Sequence, residues 1–245
     1  MRAPESSYSS NLLPPAKAAY KTLPDALPLR YGNGLITTRY RHRFLTNVIT
    51  PPLLGTTKTY STLGSELLFD VSTDGGLSFQ PVRALANMSL LISHTQDVGG
   101  IEHYDTELLS LDFTGGNLPS GAMFRESPTR QSLGQTTIRP VQSQPGPIMY
   151  GISSFIDIWT DVSLDGGQTW SSADHTARVV AVAPPLLSIR LEGTQAVIFW
   201  TSDESGQHLQ SAQDLAGPWG DEPNATNPYQ ININTSRKFF RIFQP

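Results

Sequence analysis

The chain has 245 residues, no cysteine and a formal net charge of −4. The missing cysteine excludes disulfides, thiolate metal sites and cysteine nucleophiles, and the acidic balance speaks against a general nucleic-acid binder, which carries a basic excess. Charged residues make up only 16%, against roughly 25% in ordinary soluble domains, so the polar surface must come from Ser, Thr, Asn and Gln, as on β-sheets of extracellular proteins.

The opening Met1-Arg2-Ala3-Pro4-Glu5-Ser6 is not a signal peptide, and no apolar run approaches the roughly 20 residues of a membrane span. We read the start as that of a mature chain that has lost a leader. Residues 1–55 are rich in Pro and Ser. Residues 1–27 read as an extended arm, too polar to be ordered unless it lies on its own surface or a neighbour's. Asn33-Gly34 then signals a two-residue hairpin joining Leu29-Arg30-Tyr31 to the strand ending at Tyr40.

Residues 56–184 contain an internal duplication. Asp70-Val71-Ser72-Thr73-Asp74-Gly75-Gly76-Leu77-Ser78-Phe79 recurs as Asp161-Val162-Ser163-Leu164-Asp165-Gly166-Gly167-Gln168-Thr169-Trp170. Strand-like runs lie between the copies: Glu107 to Phe113, ended by Gly115-Gly116; Ala122 to Arg125; Thr136 to Arg139; and Met149 to Ile158. Pro184-Pro185 marks a boundary. Residues 186–245 then form a compact module in which Leu187, Ile189 and Leu191 alternate with polar residues. No segment sustains a helical period; Pro15 to Tyr20 allows a turn or two.

The repeated motif predicts a self-capped hairpin. The carboxylates of Asp74 and Asp165 accept hydrogen bonds from turn amides, Gly75, Gly76, Gly166 and Gly167 supply positive φ without steric cost, and Phe79 and Trp170 close the hairpins as aromatic lids. On these residues the motif resembles the Asp-box of sialidases and many non-enzymatic β proteins. In those families it is structural and remote from catalysis. The run from Thr95 through Arg125-Glu126-Ser127-Pro128-Thr129 to the second motif resembles secreted Asp-box β proteins of planctomycete and verrucomicrobial type. The end of the chain, with Asp214-Leu215-Ala216-Gly217-Pro218-Trp219 and Phe239-Phe240-Arg241, resembles a small fibronectin-like module found in secreted proteins of those bacteria. The resemblance implies a secreted β protein and brings no established activity.

Other clusters are weighed against plainer roles. His94, Asp97, His103 and Asp105 suit a metal, Ca²⁺ through carboxylates or a transition metal through imidazoles. Their spacing fits no standard ligand motif, however, and a hairpin tip at Gly99-Gly100 gathers polar residues anyway, so no cofactor is expected. Arg39, Arg41 and Arg43 alternate with Tyr40, His42 and Phe44. A strand puts them on one face, fit for an acidic polysaccharide or a neighbour's carboxylates, or simply for guarding an edge. Trp159 and Trp219 are candidate sugar platforms, or packing residues. Arg125, Glu126 and Arg130 around Pro128 form a site or an ion-paired loop. No nucleophile elbow, zincin helix or phosphate loop is present.

The sequence thus predicts an all-β protein of tandem antiparallel β-sandwich domains with Asp-box hairpins and an extended N-terminal arm, secreted to the bacterial cell surface or beyond. The expected function is structural or adhesive, through self-assembly into a homo-oligomer or polymer by strand addition of the arm. A carbohydrate-binding protein is the first alternative. A polysaccharide hydrolase using Asp105 with Glu107 or Asp157 with Asp161 is the second.

Overall fold

The computed structural model describes residues 3–15, 17–43, 47–114, 116–141, 149–183, 187–200, 207–233 and 237–243. Met1, Arg2, Phe44, Gly115 and the Pro184-Pro185 boundary lie outside these. The chain divides into two compact units, Met1–Ala183 and Pro184–Pro245.

The first unit comprises β1 (Glu5–Tyr8), β2 (Ala19–Thr22), β3 (Leu29–Arg30), β4 (Ile36–Arg43), β5 (Thr57–Ser72), β6 (Gln80–Val98), β7 (Ile101–Thr114), β8 (Met123–Glu126), β9 (Ser132–Val141), β10 (Met149–Ile158), β11 (Thr160–Ser163), β12 (Ser171–Ser172) and β13 (Ala177–Val182). Eight of these close into an antiparallel barrel in the order β2-β4-β5-β6-β7-β9-β10-β13, with β13 returning to β2. The period-2 pattern that makes these segments strands also fills the barrel. On β6, Val82, Ala84, Ala86, Met88, Leu90 and Ile92 are all buried, while Arg83, Leu85 and Asn87 face outward. Phe69 lies at the centre of an aromatic cluster. Its ring stacks on Tyr40 at 5.4 Å and meets Phe113 and Phe124 edge-on at 5.6 and 5.3 Å.

Strands β5, β6 and β7 run to 16, 19 and 14 residues, long enough to need bulges in order to coil around a barrel. Registers shift between Thr38 and Arg41 on β4, between Thr62 and Ser65 on β5, and twice along β6.

Two strands fork. β10 gives one edge to β9 along Met149–Asp157. It divides the other, Tyr150–Ser153 going to β1 and Phe155–Ile158 to β13. β7 likewise gives Glu102–Leu108 to β9 and Asp112–Thr114 to β8, which continues to β11 and β12 at one end of the barrel.

The described residues are all-β and contain no helix. Just before β2 begins, Ala18 N–H donates to Pro15 O at 3.0 Å. Asn33-Gly34 turns the β3–β4 hairpin, with Gly34 at φ 86°. Two expectations change. The first unit is a closed barrel where sandwich domains were expected, because β2 and β13 hydrogen-bond, with Tyr20 opposite Ala181. The stretch read as an arm is built in: Ala19–Thr22 is a barrel strand, and Leu13 is 1% exposed and bridged to Ile49.

The second unit has β14 (Leu187–Glu192), β15 (Gln195–Trp200), β16 (His208–Ala212), β17 (Gly220–Asp221), β18 (Tyr229–Asn232) and β19 (Phe239–Phe243). They form two three-stranded sheets, β14-β15-β18 and β17-β16-β19. Ile198, Trp200 and Leu209 make a small core, flanked by Leu187, Tyr229, Phe240 and Ile242.

Candidate functional site

The two repeated turns fold alike. Ser72 Oγ donates to Asp74 Oδ1 at 2.7 Å and accepts from Gly76 N–H at 2.9 Å; Ser163 does the same with Asp165 and Gly167 at 2.7 and 2.8 Å. Asp74 Oδ1 accepts the Leu77 and Ser78 amides at 3.0 Å each, and Asp165 Oδ1 accepts those of Gln168 and Thr169 at 3.0 and 2.9 Å. The Ser78 and Thr169 hydroxyls complete the sets on Oδ2. These donors hold both carboxyls well below the usual carboxylate range, the hydroxyl of Ser78 or Thr169 contributing most. All four glycines have positive φ. The likeness extends upstream: Asp70 is ion-paired to Arg39, and Asp161 lies 3.5 Å from Arg125. Trp170 folds back over its turn, donating Nε1–H to Gly167 O at 3.0 Å beneath the Arg125 guanidinium. Phe79 is half-buried.

The feature with the character of a docking site is the split edge of β10. β13 peels away from it toward β2, and β1 fills the vacated length with Glu5 opposite Ser153 and Tyr8 opposite Tyr150. Three side-chain arrangements hold β1. Ser153 Oγ–H donates to Ala3 O at 2.8 Å. Tyr8 is 5% exposed. The Glu5 carboxylate crosses β10 above Gly151 and receives both arms of Arg139, Nε at 2.8 Å and Nη2 at 2.6 Å. Gly151 permits the crossing, because a Cβ there would lie 2.7 Å from Glu5 Oε1. A planar fork on a carboxylate fixes direction as well as energy, so β10 and its neighbour β9, which carries Arg139, form a built receptor for the first acidic residue of β1.

The chain matches no known protein family, no characterised protein and no solved structure.

The other candidate residues scatter. The bulge on β4 puts Arg39 at φ 56°, and Arg39, Arg41 and Arg43 all lie outward, alternating with the buried Tyr40 and His42. Arg39 pairs with Asp70, and Arg43 shares the buried Glu66 with Arg83. Trp159 and Trp219 each carry a guanidinium over the ring, Arg130 and Arg241 respectively, both at 4.4 Å. Of the proposed metal set, His94 and Asp97 meet, with Nε2 2.7 Å from Oδ1, and His94 Nδ1 faces Pro52 O at 3.1 Å. His103 and Asp105 sit opposite Gln96 and Ser93, on the other pleat face from His94 and its partner Tyr104. Among the described residues no group of three His, Asp or Glu is arranged to hold a metal ion, and no helix is long and apolar enough to cross a membrane. Asp161, proposed as half of an acid pair with Asp157, is 5% exposed, and Asp157 is forked by Arg178 at 2.7 and 2.5 Å.

Glu126 gained most from the structure. Its Oε1 accepts from the buried Ser132 hydroxyl at 3.1 Å. Burial pushes its carboxyl up to about 7 against that pull, and the Asp161 charge adds to the rise. The sequence marked Glu126, with Arg125 and Arg130, as part of a site or an ion-paired loop. It gave no sign of Glu5, Gly151 or Arg139, whose partnership spans most of the barrel's chain length.

Proposed function

We propose that this is a secreted structural or adhesive protein of bacteria whose copies join by exchanging β1. In this reading the two turns are Asp-box hairpins that stiffen the scaffold, and the C-terminal unit is the fibronectin-like module its sequence resembles. The observation that carries the proposal is the receptor formed by β10 with Arg139 of β9. The strand it accepts is short, is held by contacts within residues 3–8, and leads through Ser9–Leu12 to the firmly buried Leu13. A neighbour's β1 offers the same backbone ladder, the same Tyr8 and the same Glu5, so exchange conserves every contact and needs movement only at the Ser9–Leu12 hinge.

Charge reversal tests this. Glu5→Arg and Arg139→Glu each oppose like charges within the chain and in any homotypic junction, so both weaken docking and assembly. An equimolar mixture of the two variants restores opposite charges at every junction between unlike chains, and only there. Light scattering on the size-exclusion peak is expected to show assembly for the wild type and the mixture, and smaller species for each variant alone. A wild type monomeric at every concentration, or a folded mixture no larger than its components, overturns the proposal.

A further inference from the structure

Away from β1, the outer barrel wall carries an open groove of about 500 Å³ over β7, β9, β10 and β13. Two cross-strand rows make it. Asp105, Gln135 and Phe155 stand in one register line, and Leu133, Asp157 and Arg178 in the next. The pleat sends all six outward. Between the rows, Gly134 turns inward against β10, where a Cβ would lie 2.2 Å from Phe155 O. The strands therefore approach more closely here than any side chain at 134 allows.

The polar groups of this groove are planar, and the Arg178–Asp157 pair is already oriented. Arg178 is locked by its fork on Asp157 and lies over the Phe155 ring at 4.3 Å. Gln135 Nε2 points to Asp105 Oδ1 at 3.5 Å, too long for a strong bond, which leaves both groups able to turn to a third partner. Beside them lie the apolar surfaces of Phe155 and of Leu133, which is 51% exposed. A few carboxylate, amide and guanidinium groups set along apolar surface suit a ligand that presents hydroxyls on its rim and C–H groups on its faces. Side chains already ordered lose little entropy on binding.

We infer that this groove binds a neutral glycan chain. The forked Asp157–Arg178 pair is neutral as a unit, which leaves Asp105 as the net charge of the groove lining, so uronates and sulfates are disfavoured. The inference is independent of strand exchange, since none of the six residues touches β1 in the ladder or the latch.

The test uses the full chain with soluble hexasaccharides of β-linked glucose and of mannose, and an alginate hexasaccharide as the acidic comparison, read by calorimetry and by amide shifts. A neutral hexasaccharide is expected to bind and to shift amides on β9 and β10. Asp105→Ala and Gln135→Ala are each expected to weaken it about tenfold, the loss of one or two hydrogen bonds, with an unchanged melting temperature. Both side chains are exposed, so neither change threatens the fold. The inference is overturned if no neutral hexasaccharide binds at millimolar concentration, if the alginate fragment binds more tightly, or if binding survives the double substitution and shifts amides around Trp159 or Trp219 instead.

Discussion

Two titratable groups, one buried and one partly buried, give the barrel opposed responses to pH. His42 lies inside the wall, its Nε2–H donating to Ser65 Oγ at 2.6 Å while Ser65 donates on to Ala86 O. Burial pushes its pKa down from 6.5 to about 4. The unfolded chain therefore binds more protons between those values, and stability rises with pH across that window, by up to about 3 kcal/mol at about 1.4 kcal/mol per pH unit. Glu126 works the other way. Its carboxyl is raised from 4.5 to about 7, so the folded state binds the extra proton. Stability present below that range is lost as pH climbs through 7. Glu126 is only partly buried, so we discount the effect to about 1–2 kcal/mol. Over roughly pH 4.5 to 6.5 the two slopes oppose each other. Glu126→Gln is expected to steepen the rise in stability with pH and to stabilise the barrel above pH 7. His42→Gln is expected to expose a net fall between about pH 4.5 and 7. Urea unfolding at stepped pH, followed by exchange of the β6 amides so that the barrel is read apart from the second unit, measures both. A Glu126→Gln profile parallel to wild type at every pH refutes the reasoning.

Other expectations follow from particular contacts. Gly151→Ala displaces the Glu5 carboxylate from its crossing, so amides of Ser6, Ser7 and Tyr8 should exchange faster while those of β6 keep their protection. Phe124→Ala removes a ring stacked on Phe113 at 4.9 Å and edge-on to Phe69, and should cost about 3–5 kcal/mol in denaturant titration. The Asp74 and Asp165 carboxyls are held low, so each turn keeps its bonds as pH falls until the depressed value is passed. Carbon-detected titration should place both midpoints below that of free aspartate. Asp165→Ala should loosen Gln168 and Thr169 without disturbing Leu77 and Ser78.

The sequence showed most clearly what is local. The turns at Asp74 and Asp165 are specified by bonds between residues at most four positions apart, so a short motif contains the whole structure. Strand identity was visible too: the runs Glu107 to Phe113, Thr136 to Arg139 and Met149 to Ile158 all lie within strands. Barrel closure was not, since the same alternation serves a sandwich or a barrel and nothing near Tyr20 announces Ala181. The arginine triplet does alternate with the buried Tyr40 and His42, but the carboxylates that engage it, Asp70 and Glu66, come from β5 and are set by register. Trp159 and Trp219 were visible as aromatics, but the arginines that cover them come from elsewhere in the chain. The latch and the groove are products of register, Glu5 with Arg139 and Asp105 with Gln135 and Phe155, and register is invisible without the sheet.

The seam between β2 and β13 also sets a timetable. During synthesis β2 emerges early, yet one of its two neighbours is the last strand of the barrel to be made. Until residue 182 is available the wall stays open, and the intermediate exposes the edges of β2 and β10 together with the apolar inner face. Joining ends so distant in the chain carries a large loop-closure entropy, and topologies of this kind fold slowly. The protein thus spends its early life as an unclosed sheet with two unsatisfied edges, the form in which a neighbour's strand is most easily admitted.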